Sequence, residues 1–154
     1  MNRLVTTLFL ALAACGPSTP VMPEPTITLE QGTASLVATV TPVKLGKGRV
    51  FCALHISQDA FPGASPIIGG SLGADPAATS ITCTFDKLPA GDFAISVFQD
   101  ENSNGVLDTN AFGAPTEGYG ASKNQLPAAA APTFADNKVT LAAGEQLTVD
   151  ITLR

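Results

Sequence analysis

The nine residues from Asp100 to Asp108 carry oxygen-bearing side chains at the spacing of a calcium-binding loop. Asp100, Asn102, Asn104 and Asp108 take positions 1, 3, 5 and 9 of such a loop, and Gly105 takes position 6, where the chain must turn sharply. Calcium requires about six to eight oxygen ligands, and alternate residues of a tight loop point towards its centre. The spacing therefore predicts a Ca²⁺ site.

The remaining ligands of the predicted site are less regular. The carbonyl of Val106 would supply position 7, but position 12, usually a bidentate Glu, is Ala111. Glu117 would replace it if the chain from 110 to 120 folds back, giving a weak site in roughly the millimolar to high-micromolar range. Alternatively, Asn, Asp, Ser and Gly are turn formers, and their side chains would hold the loop without metal.

Segments of alternating apolar and polar residues predict the strands that position this loop. With Gly/Pro-rich turns and no amphipathic helix, they indicate an all-β antiparallel β-sandwich of six or seven strands. Leu88–Gly91 resembles the strand corner of prealbumin-like and Cna-B-like domains, so an Ig-like/prealbumin-like sandwich is expected. The predicted strands are Ala34–Thr41, Arg49–Ile56, Ser80–Phe85, Asp92–Gln99, Lys138–Leu141 and Leu147–Leu153, with Thr26–Leu29 as a further candidate.

Cys52 and Cys83 lie on the apolar faces of two predicted strands, which favours a disulfide between them. Two inert buried thiols are the alternative. Zinc is not expected, because these cysteines and the single histidine, His55, offer too few ligands. His55 falls on the opposite strand face from Cys52, so we interpret it as a surface or edge histidine rather than a catalytic base.

The first 25 residues predict export and anchoring. A basic start, a short apolar run and the sequence Leu-Ala-Ala-Cys ending at Cys15 are typical of a lipoprotein signal peptide over residues 1–14, with Cys15 lipidated. Residues 15–25 form a Pro-rich tether, and 26–154 form one domain. Because Gly16 rather than Asp follows the cysteine, we expect the outer membrane rather than the inner, on its periplasmic face or surface.

The flanks of the calcium-type loop carry a family resemblance. The run Val97–Asn110, continued by Phe112–Gly120, resembles the DUF2141 family of uncharacterised bacterial exported proteins. Two departures are Gln99, where the family often has His, and the Ala-Ser-Lys-Asn sequence at 121–124, where Phe-Ser-Asn-Asn is common. The resemblance implies an exported β protein and no established activity. Within these flanks we interpret Tyr119 as a structural plug at the end of the sandwich.

The composition restricts the function classes. The formal net charge is -5 without a basic patch, which excludes nucleic-acid binding and suits cation binding or solubility. We expect a non-enzymatic module that contacts an envelope protein or glycan. The alternatives are an accessory subunit of an envelope complex and a hydrolase that uses carboxylates, for which the candidates are Asp100, Glu101, Asp108 and Glu117. One Tyr and no Trp argue against a glycosidase.

Overall fold

A computed structural model of the chain describes residues 31–63 and 78–154. The predicted signal peptide, the lipidated Cys15, the tether and the candidate strand Thr26–Leu29 lie outside the described residues, as does part of the connection between the second and third predicted strands.

Seven strands and one short helix make up the described part of the chain, in agreement with the predicted strand number. They are β1 (Ala34–Thr41), β2 (Arg49–His55), β3 (Ile81–Leu88), β4 (Gly91–Asp100), β5 (Tyr119–Ala121), α1 (Phe134–Asn137), β6 (Val139–Leu141) and β7 (Gln146–Thr152). The three-residue strand β5 was not predicted, because it is too short for an alternating pattern to be recognised.

The strands form two sheets, so the predicted β-sandwich is confirmed. The first sheet has the order β3-β1-β7, and the second has the order β2-β4-β5 with β6 also paired to β4. The prediction that all pairs are antiparallel is wrong for one of them, because β1 and β7 run parallel, with Leu36 opposite Leu147 and Val40 opposite Ile151. Sequence alternation identifies a strand and its buried face but carries no information on the direction of its neighbour.

Strand β4 organises the second sheet. Its ten residues pair with β2 on one side, while β5 and β6 share the other side, β6 near Phe93 and β5 near Val97. Buried Ser122 lies at the junction, where its Oγ accepts the Ile95 N–H (2.9 Å) and donates to the Asn137 carbonyl (2.7 Å). The full length of β4 is thereby paired, which fixes the direction in which it leaves the sheet at Asp100.

The main core lies between the two sheets. As the alternation predicted, the inward side chains of β2 and β4 are buried there, together with those of β1, and hydrophobic burial of this kind is the dominant stabilising term. The predicted disulfide is present between Cys52 in the second sheet and Cys83 in the first, with the two Cα atoms 6.5 Å apart. The core residues from these strands and from β3 are Leu36, Ala38, Val40, Val50, Cys52, Leu54, Cys83, Phe85, Phe93, Ile95 and Val97.

A second apolar cluster covers the outer face of the second sheet. This outer cluster comprises Phe61, Ala94, Ala121 and Leu126, with Tyr119 and Phe134 packed against it. Tyr119 therefore packs on a sheet face rather than closing the end of the sandwich. Gly120 is needed for close approach rather than for an unusual backbone angle, since a Cβ there would lie 2.6 Å from the Ile151 side chain.

His55 is buried beside this cluster, contrary to the expectation of a surface position. It lies on the edge strand β2, but Phe61 packs edge-on against its ring at 5.2 Å, and its Nε2 is 2.8 Å from the Ser96 Oγ. The edge position was expected, but the surface position was wrong, because the outward face of β2 is covered by the chain that follows it. Burial lowers the pKa of His55 to about 4, so the ring is neutral near pH 7.

Candidate functional site

The residues from Asp100 to Asp108, named here the Asp loop, begin where β4 ends. Asp100 is the last residue of β4 and its side chain is buried. Its Oδ1 accepts the N–H of Asn104 (3.0 Å) and its Oδ2 accepts the N–H of Gly105 (2.8 Å), which closes the chain into a tight turn. Gly105 has φ of +83°, a conformation that favours glycine. The turn predicted from Gly105 is therefore present.

Two Asn side chains continue the turn. Asn102 Oδ1 accepts the N–H of Asn104 (3.1 Å), and Asn104 Oδ1 accepts the N–H of Val106 (3.0 Å). Each is a side-chain oxygen bonded to the backbone two residues further on, which is the geometry that makes Asn and Asp frequent in turns. The oxygens at loop positions 1, 3 and 5 thus all point into the loop.

Asp108 is the acceptor at the other end of the loop. The side-chain amide of Asn102 donates to its Oδ2 (2.6 Å), and that of Asn104 donates to its Oδ1 (3.0 Å). The structure therefore brings four of the predicted ligands together: Asp100, Asn102, Asn104 and Asp108. Hydrogen bonds within the loop satisfy them, as the metal-free alternative also predicts.

Glu117 reaches the loop, as the predicted fold-back requires. Its Oε1 accepts the N–H of Glu101 (2.8 Å) and its Oε2 accepts the N–H of Asp108 (3.0 Å). The carboxylate is buried, and each oxygen holds one end of the loop. Glu117 therefore acts as a clamp on the backbone. Within the described residues, no group of three or more His, Cys, Asp or Glu side chains is placed to hold a metal ion, so amide and carbonyl oxygens are needed to complete any site.

The segment between the Asp loop and Glu117 forms a short hairpin, named here the tip hairpin, from Thr109 to Pro115. Asn110 Oδ1 accepts the N–H groups of Phe112 (2.9 Å) and Ala114 (3.1 Å). The Thr116 N–H donates to the Asp108 carbonyl (2.9 Å), which joins the hairpin to the loop. The long connection after β4 is thus ordered by its own polar side chains.

Gln99 also belongs to the site, although the sequence predicted no role for it and showed it only as a departure from the family pattern. Its Nε2 donates to the carbonyls of Lys44 and Lys47 (both 2.7 Å), and its Oε1 accepts the Lys44 N–H (2.9 Å). The side chain is buried and ties the β1–β2 turn to the loop. Its position in the sequence could have predicted this buried role, because Gln99 continues the inward-facing series Phe93, Ile95 and Val97 with a polar side chain.

The β1–β2 turn approaches the Asp loop closely. Lys44 Nζ lies 2.5 Å from Glu101 Oε1, in a partly exposed ion pair. At Gly48, which has φ of +50°, a Cβ would lie 1.6 Å from the Asp100 carbonyl oxygen. A cleft of about 300 Å³ lies between the start of the β1–β2 turn and the end of the tip hairpin, with Lys44, Gln99, Glu117 and Arg154 among its lining residues. The Asp loop, the β1–β2 turn and the tip hairpin therefore form one structural unit.

These observations define a β-sandwich domain with an Asp/Asn-rich loop clamped at one end. The family model described as "Uncharacterized protein conserved in bacteria (DUF2141)" matches residues 38–149, and the chain belongs to this family. No curated protein and no solved structure matches the chain. Among the described residues, no helix is long and apolar enough to span a membrane.

Proposed function

We propose that this protein is a non-enzymatic binding module of the bacterial cell envelope, lipid-anchored through Cys15, whose Asp loop takes a weakly bound calcium ion. The observation that carries the proposal is the convergence of Asp100, Asn102, Asn104 and Asp108 on one loop. Carboxylate and amide oxygens are the ligands of a hard cation, and the Val106 carbonyl at position 7 would supply a fifth donor.

The hydrogen bonds around Asp108 suggest how calcium would enter. Asn102 and Asn104 now donate their amide NH₂ groups to this carboxylate. Rotation of each amide about its last side-chain bond exchanges oxygen for nitrogen, so that both amide oxygens and Asp108 would face the ion. This rotation also breaks the bonds that the two amide oxygens accept from the N–H groups of Asn104 and Val106, so calcium would replace four exposed hydrogen bonds. Because the loop is already closed without metal, the ion adds stability to a formed turn, and its net effect is modest.

The hydrogen bonds and the ion pair made by Asp100, Glu101 and Glu117 support a binding role over hydrolysis. Each oxygen of Asp100 and of Glu117 accepts a backbone N–H, and Glu101 is paired with Lys44. Acid–base catalysis requires a carboxylate that can exchange its proton with a substrate. Asp100 and Glu117 instead hold the backbone, and Glu101 is engaged by a lysine amine. We infer that the module presents a fixed surface to an envelope partner, which is a protein or a glycan.

Thermal unfolding with calcium and with EDTA tests the proposal. For a dissociation constant of about 1 mM, 10 mM calcium stabilises the fold by about 1.4 kcal/mol, which raises the midpoint by roughly 5 °C. Asp108→Asn removes the half-buried charge of the site and is expected to abolish most of this rise. Asp150→Asn, an exposed aspartate on β7, is the matched control and keeps it. Equal midpoints in calcium and EDTA would reduce the loop to a metal-free turn.

A further inference from the structure

The exposed large apolar side chains of the described residues are concentrated at one end of the sandwich. They are Phe112, which is 95% exposed, and Leu45 and Val106, each 54% exposed. Leu45 lies in the β1–β2 turn, Val106 in the Asp loop and Phe112 in the tip hairpin. Single exposed apolar residues are common on protein surfaces, but three on adjoining turns mark an interaction site.

Hydrogen bonds hold each of these side chains outward. Gln99 bonds the carbonyls on both sides of Leu45, at Lys44 and Lys47. Asn104 accepts the N–H of Val106, and Asn110 accepts that of Phe112. Because hydrogen bonds fix the backbone that carries each of these side chains, their exposure is a defined feature of the fold and does not result from a loosely held loop.

The surroundings of these tips indicate the kind of partner. Exposed Lys44 and Lys47 lie on either side of Leu45 in the β1–β2 turn, and the three apolar side chains belong to three different turns. A stable protein interface buries about 800 Å² on each partner, around a contiguous apolar centre. Separate apolar tips among lysines fit a bilayer interface instead, where apolar groups enter the acyl boundary and the lysine amines stay with the phosphates.

We propose that this end of the sandwich docks on a phospholipid bilayer, with Phe112, Val106 and Leu45 entering the interface. Its carboxylates (Asp100, Glu101, Asp108 and Glu117) outnumber its cations (Lys44, Lys47 and Arg49), so without calcium the surface suits zwitterionic headgroups. Calcium in the Asp loop would reverse this balance and favour anionic lipid. Only that calcium effect rests on the proposed function, whereas insertion of the tips does not require it.

The absence of tryptophan from the chain permits a direct test. Phe112→Trp places a single indole at the tip, and Ala143→Trp places one in an exposed turn at the opposite end, where β6 ends beside the start of β4. Both variants of the full chain are mixed with phosphatidylcholine vesicles in EDTA. Any attachment through residues 1–15 is common to both, so the indole emission reports which end meets the lipid.

We expect a blue shift of the Phe112→Trp emission and its quenching by brominated phosphatidylcholine, with no change for Ala143→Trp. Adding Leu45→Ser to Phe112→Trp should weaken partitioning about tenfold. An unchanged Phe112→Trp emission, or an equal response at both ends, would overturn the docking surface. Repeating the titration with phosphatidylglycerol vesicles, with and without calcium, tests the linkage: insertion that ignores calcium refutes the calcium site and leaves the docking surface standing.

Discussion

The body of the sandwich and its Asp-loop end are held together by different interactions. In the body, apolar side chains of both sheets meet across a buried core that the Cys52–Cys83 bond crosses. In the segment from Gln99 to Gly118, backbone N–H groups donate hydrogen bonds to side-chain oxygens, chiefly those of Asp100, Asn110 and Glu117. One region is stabilised by buried area and the other by specific acceptors.

This difference has a consequence for substitution. Hydrophobic stabilisation depends on the area removed from water, so the body tolerates apolar replacements of similar volume. A backbone N–H that loses its acceptor is left unsatisfied, so the loop end depends on the identity of each Asp, Asn and Glu. The stabilities of the two regions should therefore respond independently to substitution.

The largest effect is expected in the body. Replacing both bridging cysteines, as Cys52→Ala with Cys83→Ala, reopens a loop of 31 residues in sequence separation. Loss of that constraint on the unfolded chain should lower the free energy of unfolding by about 3–4 kcal/mol, measured by urea denaturation. The calcium response of the loop should be unaltered. A calcium response that disappears together with the disulfide would contradict the independence of the two regions.

His55 makes the free energy of unfolding depend on pH, and this effect is expected to be smaller than that of removing the disulfide. Its pKa in the folded protein is lowered to about 4 by burial, from 6.5 in the unfolded chain. The contribution of the neutral ring is therefore complete above about pH 6.5 and is lost as the pH falls towards 4, at up to about 1.4 kcal/mol per pH unit.

Urea denaturation between pH 7 and 5.5, where most carboxylates stay ionised, isolates this histidine, because it is the only one in the chain. His55→Gln removes the titrating group and should flatten the profile even if it lowers stability at pH 7. An equally steep profile in that variant would mean that another group is responsible.

The loop end should respond more weakly, and only to removal of its own acceptors. Glu117→Gln keeps the size of the side chain but replaces one oxygen with a donor that faces a backbone N–H. We expect a loss of about 1–3 kcal/mol in the free energy of unfolding, together with a weaker calcium response.

Glu145 is the matched control for this change, because its carboxylate also accepts a backbone N–H, that of Ala142 at 2.7 Å, in an exposed turn at the other end. Glu145→Gln should cost less than Glu117→Gln and should leave the calcium response intact. Equal costs for the two variants would show that Glu117 is an ordinary turn residue rather than a clamp.

The sequence predicted the body better than the loop end. Alternation identified the inward faces that carry Cys52 and Ile95, because the apolar and polar pattern of a strand shows which of its faces is buried. The parallel pairing of β7 with β1 and the burial of His55 were not predicted, because both depend on which segments meet in space.

At the loop end, the spacing of four side chains correctly predicted that they lie close together. They are Asp100, Asn102, Asn104 and Asp108. It did not reveal that Glu117 clamps the loop backbone or that Gln99 holds the β1–β2 turn. Both roles depend on backbone groups of other segments, and the sequence around each residue does not show which backbone groups will face it.

Calcium binding by the Asp loop is measured by calorimetric titration of the EDTA-treated protein. We expect one saturable site with a dissociation constant of roughly 0.1–1 mM, lost in Asp108→Asn and kept in Asp150→Asn. No heat of binding up to 10 mM calcium, or equal binding by both variants, would contradict it.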